Sequence, residues 1–180
     1  MRSLCSALLF AFLSIPTCTA AATLDPREVD ILGLRLGMTE SDIVGRLLSQ
    51  GVARLSIQEE HGKCLTEAED VCIDRITAPT RDGTLRIRFA IASGASQATA
   101  WSIAYTLTGR LPGEPGMIRD AVLDRFGQPS GGPDPLYWCA HVSGSECSPA
   151  DQPQITFSQG PGTASTLTLV DPTAIIRAGP

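Results

Sequence analysis

Residues 80–91 read "TRDGTLRIRFAI", and this run decides the fold class. Leu85, Ile87, Phe89 and Ile91 alternate with Arg86, Arg88 and Ala90, which gives an extended chain one apolar and one largely charged side. A period of two is that of a strand, whose successive side chains point to opposite faces. The clean split predicts an antiparallel sheet with one side on a core and the other in water. Asp82-Gly83 is the strongest hairpin signal in the chain, because Gly accepts the positive φ of a tight turn at no steric cost. Arg86 and Arg88 then form either the wet face of a half-buried strand or a basic stripe offered to a partner.

The same period recurs on both sides of this run. "WSIAYTL" aligns Trp101, Ile103, Tyr105 and Leu107, and leaves open whether Trp101 and Tyr105 fill the core or an interface. "VCIDRIT" (71–77) predicts a strand, as does "ARLSIQ" (53–58) through Leu55 and Ile57. Farther on, "LYWCAH", "QITFS" and "TLTLV" read as short strands between the Gly- and Pro-rich loops "SGGPDP" and "QGPGTAS". Tyr137 and Trp138 are consecutive and fall on opposite faces of their strand, and with Arg86 and Arg88 they are the candidate partner-binding residues. Tyr, Trp and Arg are the side chains over-represented in interface hot spots.

Two segments carry helical spacing instead. In "LGMTESDIVGRLLSQG", Thr39 is a natural N-cap, Met38 and Ile43 flank it as a hydrophobic staple, and Glu40 and Asp42 sit at the positive end of the helix dipole. Ile43, Val44, Leu47 and Leu48 form the apolar stripe, and Gly51 the stop. In "PGEPGMIRDAVLDRFGQPS" a second helix runs from Pro115 to Phe126, with Ile118, Val122 and Phe126 at four-residue steps, widened by Ala121 and Leu123. Gly127 and Pro129 end it.

Cysteine usage adds a pattern. "CLTEAEDVC" runs from Cys64 to Cys72 and "CAHVSGSEC" from Cys139 to Cys147, each with seven residues between its cysteines. The first 22 residues read as a signal peptide: Arg2 is the positive start, "LLFAFLSI" the apolar core, and "CTAAAT" offers small residues for cleavage. The apolar run is shorter than the roughly 20 residues a spanning helix needs. Lipidation at Cys18 is the lesser reading, because Thr17 stands where a lipoprotein signal carries Gly, Ala or Ser. An exported chain with four cysteines outside its leader reads as a disulfide framework, and the repeated spacing favours Cys64–Cys72 with Cys139–Cys147 over the other two pairings. Each closed loop would stabilise by about 2.5 kcal/mol in the chain-entropy model. Zinc ligands come in closer pairs, and His61 and His141 stand at unequal offsets from their clasps, so no metal and no cofactor are expected.

The charge narrows function further. The formal net charge is −5, and Lys63 is the sole lysine among 14 basic side chains. Removal of Arg2 with the leader makes the chain one unit more acidic still. Phosphate contacts need clustered Lys and Arg, so nucleic acid is not an expected partner. There is no Gly-x-Ser-x-Gly elbow, no Cys-x-x-Cys and no phosphate-cradling loop, and two histidines leave few choices of general base. Glu59, Glu60, Glu67, Glu69 and Asp70 lack the Gly and spacing of a calcium loop and read as a solvated acidic stretch. No catalytic residue is assigned.

"LGMTESDIVGRL" together with the later "LDRFGQP" resembles the helix signatures of small bacterial envelope proteins of the SmpA/BamE-like class, and of the tandem-repeat β-lactamase inhibitor proteins. The resemblance implies helices packed on an antiparallel sheet and a function of holding or blocking another protein. The order of elements, helix and strands with a clasp written twice, predicts an α+β chain of two tandem helix-on-antiparallel-sheet repeats, each with a local disulfide: a leader at 1–22, repeats at 23–110 and 111–180. The expected function is that of an exported, periplasmic or secreted, non-catalytic protein-binding or scaffold protein of the bacterial envelope, with an unidentified exported protein as partner. An inhibitor of an exported enzyme is the alternative, and a small exported hydrolase or metal-binding protein the third reading.

Overall fold

The computed structural model describes residues 24–63, 71–91, 95–108, 115–141, 147, 151–160 and 164–176. Helix α1 (Glu40–Ser49) is followed by a 3₁₀ turn at Arg54–Ser56 and strands β1 (Gln58–Lys63), β2 (Val71–Pro79), β3 (Gly83–Ala90) and β4 (Thr99–Leu107). Helix α2 (Pro115–Phe126) precedes β5 (Leu136–Cys139), β6 (Gln154–Gln159) and β7 (Ser165–Val170), and the short α3 (Thr173–Ile176) follows. All seven strands join one antiparallel sheet in the order β1-β2-β3-β4-β7-β6-β5. The fold is α+β, as the two periodicities predict.

Helix α1 forms where its cap residues stand. The Asp42 amide donates to the Thr39 hydroxyl at 3.3 Å and the Thr39 amide to the Asp42 carboxylate at 3.4 Å, a reciprocal capping box. At the other end Gly51 takes φ 84°, its amide bonds the Leu48 carbonyl and the Val52 amide bonds the Leu47 carbonyl. These two bonds satisfy carbonyls that the helix leaves without partners, and the left-handed residue between them is a glycine for the usual steric reason. Ile43 and Leu47 are fully buried, and Met38 and Val44 pack beside them. In α2, Val122 and Phe126 are buried and Ile118 and Leu123 half-buried, whereas Ala121 is exposed and adds nothing to the stripe.

The core lies between this helical layer and one face of the sheet. Ile76, Leu85, Ile87, Ile103, Ile155, Phe157 and Leu169 are sealed from solvent there. Each such side chain contributes roughly 1.5–3 kcal/mol over its exposed state. The segment before α1 also enters the core through Pro26, Val29, Ile31 and Leu34. Ile31 and Leu34 exchange backbone bonds at 2.9 and 3.0 Å around Leu32 (φ 53°) and Gly33 (φ 72°), a two-residue turn with both central residues left-handed. Two strand expectations change. Arg54–Ser56 is a 3₁₀ turn instead of a strand, held by the Ser56 amide and hydroxyl on the Ala53 carbonyl, with Leu55 fully exposed. Serine offers its backbone such local bonds in competition with a ladder, and two alternating apolar residues do not outweigh them. In β4 the register with β3 shifts between Arg88 and Phe89: Arg88 faces Ser102 and Phe89 faces Ala100, so Trp101 is an extra residue. This β-bulge takes Trp101 off the face it was expected to share with Ile103 and Tyr105.

The last stretch is tied back to the first. Asp171 accepts from Arg27 Nε at 2.9 Å and from the Thr173 amide at 3.0 Å and hydroxyl, and its own amide donates to the Trp101 carbonyl at 2.8 Å. Burial by itself would raise the Asp171 pKa, but the bonds from Thr173 and Arg27 and the Arg27 charge outweigh it, so the carboxyl titrates below its ordinary value. A depressed folded pKa means a stabilisation present above the unfolded value near 3.8 and lost as pH falls through the folded one. Asp171→Asn is therefore expected to lower the unfolding free energy by about 1–2 kcal/mol at pH 7, and urea titrations from pH 7 downward should show that deficit shrinking only below about pH 4.

Candidate functional site

With both longer helices on one side, the opposite face of the sheet holds the candidate surface. Arg86 and Arg88 alternate with the buried Leu85, Ile87 and Phe89 and stand exposed on that face. Across from them lie Thr77 and Arg75 of β2 and Ala104 and Ser102 of β4. The pattern continues through Thr106 and Thr166, whose hydroxyls meet at 3.1 Å, to Thr168, Thr156 and Tyr137. Most of this face is half-buried and polar, the condition of a sheet side that no helix covers.

Among the described residues neither Arg86 nor Arg88 takes part in an ion pair, whereas the neighbouring Arg75 donates to Glu60 at 2.8 Å. The Arg88 guanidinium lies 5.0 Å from the centre of the Trp101 ring. That distance is within the range of a cation–π contact, and the bulge in β4 is what brings the indole to it. Sequence periodicity alone missed this pair, since a one-residue insertion in a strand is fixed by pairing with its neighbour.

The two aromatic candidates of β5 part company, as their alternation requires. Trp138 is 3% exposed beneath α2, its indole N–H donates to the Gly127 carbonyl at 3.1 Å, and its ring meets Phe126 at 5.7 Å between centres. Tyr137 stands half-buried on the outer face, where the turn at Gly131 and Gly132 lies against its ring. A side-chain carbon on either glycine would come within 3 Å of that ring, so both positions require glycine for the turn to close over it.

Cys139 is bonded to Cys147 with 6.0 Å between Cα atoms, a normal span for a disulfide. It closes the segment leaving β5, where Cys139 is almost wholly buried and its amide bonds the Ser130 hydroxyl at 3.2 Å. Cys72 is the second residue of β2, but Cys64 lies outside the described residues, and so does its pairing. His61 and His141 are both exposed, and among the described residues no group of three or more His, Cys, Asp or Glu is placed to hold a metal ion. A groove of 620 Å³ runs along α1 beside Asp30, Gly33, Arg35, Asp42 and Arg46. Its carboxylates are engaged in local structure, Asp30 with the Gly33 amide at 2.9 Å and Asp42 with the Thr39 cap.

No protein-family model matches the chain, and no curated protein or solved structure matches it significantly. What the surface does must be argued from its own residues.

The contrast between the two tryptophans is directly measurable. Trp138→Ala removes a buried ring and its hydrogen bond and is expected to cost about 3–5 kcal/mol, enough to broaden or abolish a cooperative thermal transition. Trp101→Ala, at the half-buried outer face, should cost about 1 kcal/mol and leave the fold intact by circular dichroism.

Proposed function

We propose that this is an exported, non-catalytic binding or scaffold protein of the bacterial cell envelope that holds another protein against the uncovered face of its sheet. The observation that carries this reading is the juxtaposition on that face of the Trp101 ring and two arginines that make no ion pair among the described residues, on a chain whose net charge is negative. Tyr, Trp and Arg anchors on an open polar surface are what partner-binding faces are made of. Export is supported by the leader-like run from Leu8 to Ile15 and by the Cys139–Cys147 disulfide, a bond at home in oxidising compartments. No helix among the described residues is long and apolar enough to cross a membrane.

A duplicated origin, with units at 23–110 and 111–180, is part of the same proposal. The sheet order supports it: β1-β2-β3-β4 and β5-β6-β7 are meanders of four and three strands that each follow a helix, and their last strands meet at the middle. Leu85 and Ile87 of β3 then answer to Ile155 and Phe157 of β6, buried on the next-to-last strand of each meander. The resemblance of the Gly37-Met38-Thr39 helix start to envelope proteins of the SmpA/BamE-like class points the same way. The alternative is an enzyme inhibitor that presents Tyr137, Trp138 or the first clasp loop. Trp138 is buried in the core, Tyr137 lies under its glycine turn and most of the clasp loop lies outside the described residues, so the sheet face is the better supported surface.

Two measurements test the proposal. Peptide mapping without reduction should find Cys139 joined to Cys147 and Cys64 to Cys72, and a bond between the two clasps would end the repeat reading. Crosslinking in intact envelopes followed by purification should recover a reproducible protein partner, lost or reduced about tenfold in an Arg86→Glu/Arg88→Glu chain that still folds. Recovery of no reproducible partner would overturn the binding function.

A further inference from the structure

Arg86 and Arg88 are two residues apart on one strand and therefore project from the same face roughly 7 Å apart along the chain direction. Alternate side chains of any extended polypeptide repeat at that same distance. Thr77, Ala104 and Ser102 lie around them on the neighbouring strands, with Arg75 directly across from Arg88. The Arg88 guanidinium lies 5.0 Å from the centre of the Trp101 ring and makes no ion pair among the described residues, so its N–H groups can grip a carboxylate in the two-pronged geometry arginine favours. Glu60, opposite Arg75 on β1, is held by that arginine. Neither Arg86 nor Arg88 makes an ion pair among the described residues, so an acidic protein keeps two uncommitted positive charges on this face.

From this charge pattern we infer that the partner segment held at Arg86, Arg88 and Trp101 is an extended acidic stretch of polypeptide, with carboxylates at alternate positions. The inference rests on the proposal that this face binds a partner and adds the partner's chemistry. A single phosphate or a small carboxylate would be better served by convergent donors in a concave site than by two arginines in a row on a sheet. A chain laid over the strand instead meets both arginines at once, and the ring beside Arg88 gives its backbone or an apolar neighbour a surface to cover.

The probe is an eight-residue blocked peptide of alternating Glu and Thr, titrated into the mature, oxidised protein by calorimetry at low salt, with Gln-Thr and Lys-Thr peptides, inorganic phosphate and phosphatidylglycerol vesicles run alongside. Saturable binding of the Glu-Thr peptide is expected, weakened about tenfold by Arg86→Gln/Arg88→Gln and again by raising salt several-fold. Trp101→Ala should weaken it a few-fold with the melting curve little changed. Equal binding of Glu-Thr and Gln-Thr peptides, unchanged binding by the folded double variant, or binding of phosphate or vesicles without the peptide would each overturn the inference. The two levels fail separately. An envelope partner lost on Arg86→Glu/Arg88→Glu while the Glu-Thr peptide never binds leaves the face a binding site and removes its acidic-segment specificity. An envelope partner retained by that variant removes the face itself.

Discussion

Strands β4 and β7 meet along the middle of the sheet, from Ser102 opposite Val170 to Leu107 opposite Ser165. Everything else hangs on this pairing. It joins β1-β2-β3 on one flank to β6-β5 on the other, so that a single layer backs both helices. On the core side it places Ile103 beside Leu169, both sealed from solvent, and on the outer side it places Thr106 beside Thr166. Without it each half would show an open strand edge and a half-finished core, and a three- or four-stranded sheet with one helix buries too little to stand securely alone. The Asp171 carboxylate reinforces the same joint from its end, since it follows β7 directly and binds Arg27 from the beginning of the described chain.

The joint also explains why the outer face is available. Both α1 and α2 lie on the core side, and their apolar stripes, Ile43 with Leu47 and Val122 with Phe126, are satisfied there. The far side therefore needs no apolar cover and is lined by Thr, Ser and Arg instead. Its exposed flank carries two local irregularities, a bulge at Asp74 between β1 and β2 and the bulge at Trp101. In regular register the indole would follow Ile103 and Tyr105 inward. With the extra residue it lies against Arg88.

Much of this was legible in the residues, and the reasons for the rest are physical. Helix α1 announces itself because cap, first-turn charge and terminal glycine are all local signals. The alternation in β3 is equally plain, and Leu85, Ile87 and Phe89 are buried where it puts them. The disulfide at Cys139 follows from spacing and compartment. What a linear reading could not supply was set by distant partners: the β4–β7 neighbourhood, and the bulge, which exists only relative to β3. Trp138 illustrates the same limit, since alternation separates it from Tyr137 without saying which of the two faces α2. The turn at Arg54–Ser56 failed for the opposite reason, because a very local preference of serine won over a weak two-residue alternation.

The position of β7 has a consequence for the order in which the molecule is made. Chain emerging from a ribosome or a secretion pore presents β1 to β4 long before β7, the last strand of the sheet. During that interval the edge of β4 from Ser102 to Leu107 lacks β7, and Ile103 lacks its partner Leu169. A non-local contact of this kind closes slowly and leaves an adhesive strand exposed while it waits. The first half is thus committed to waiting for the last, and final assembly of the sheet belongs to the compartment where the whole chain is at hand.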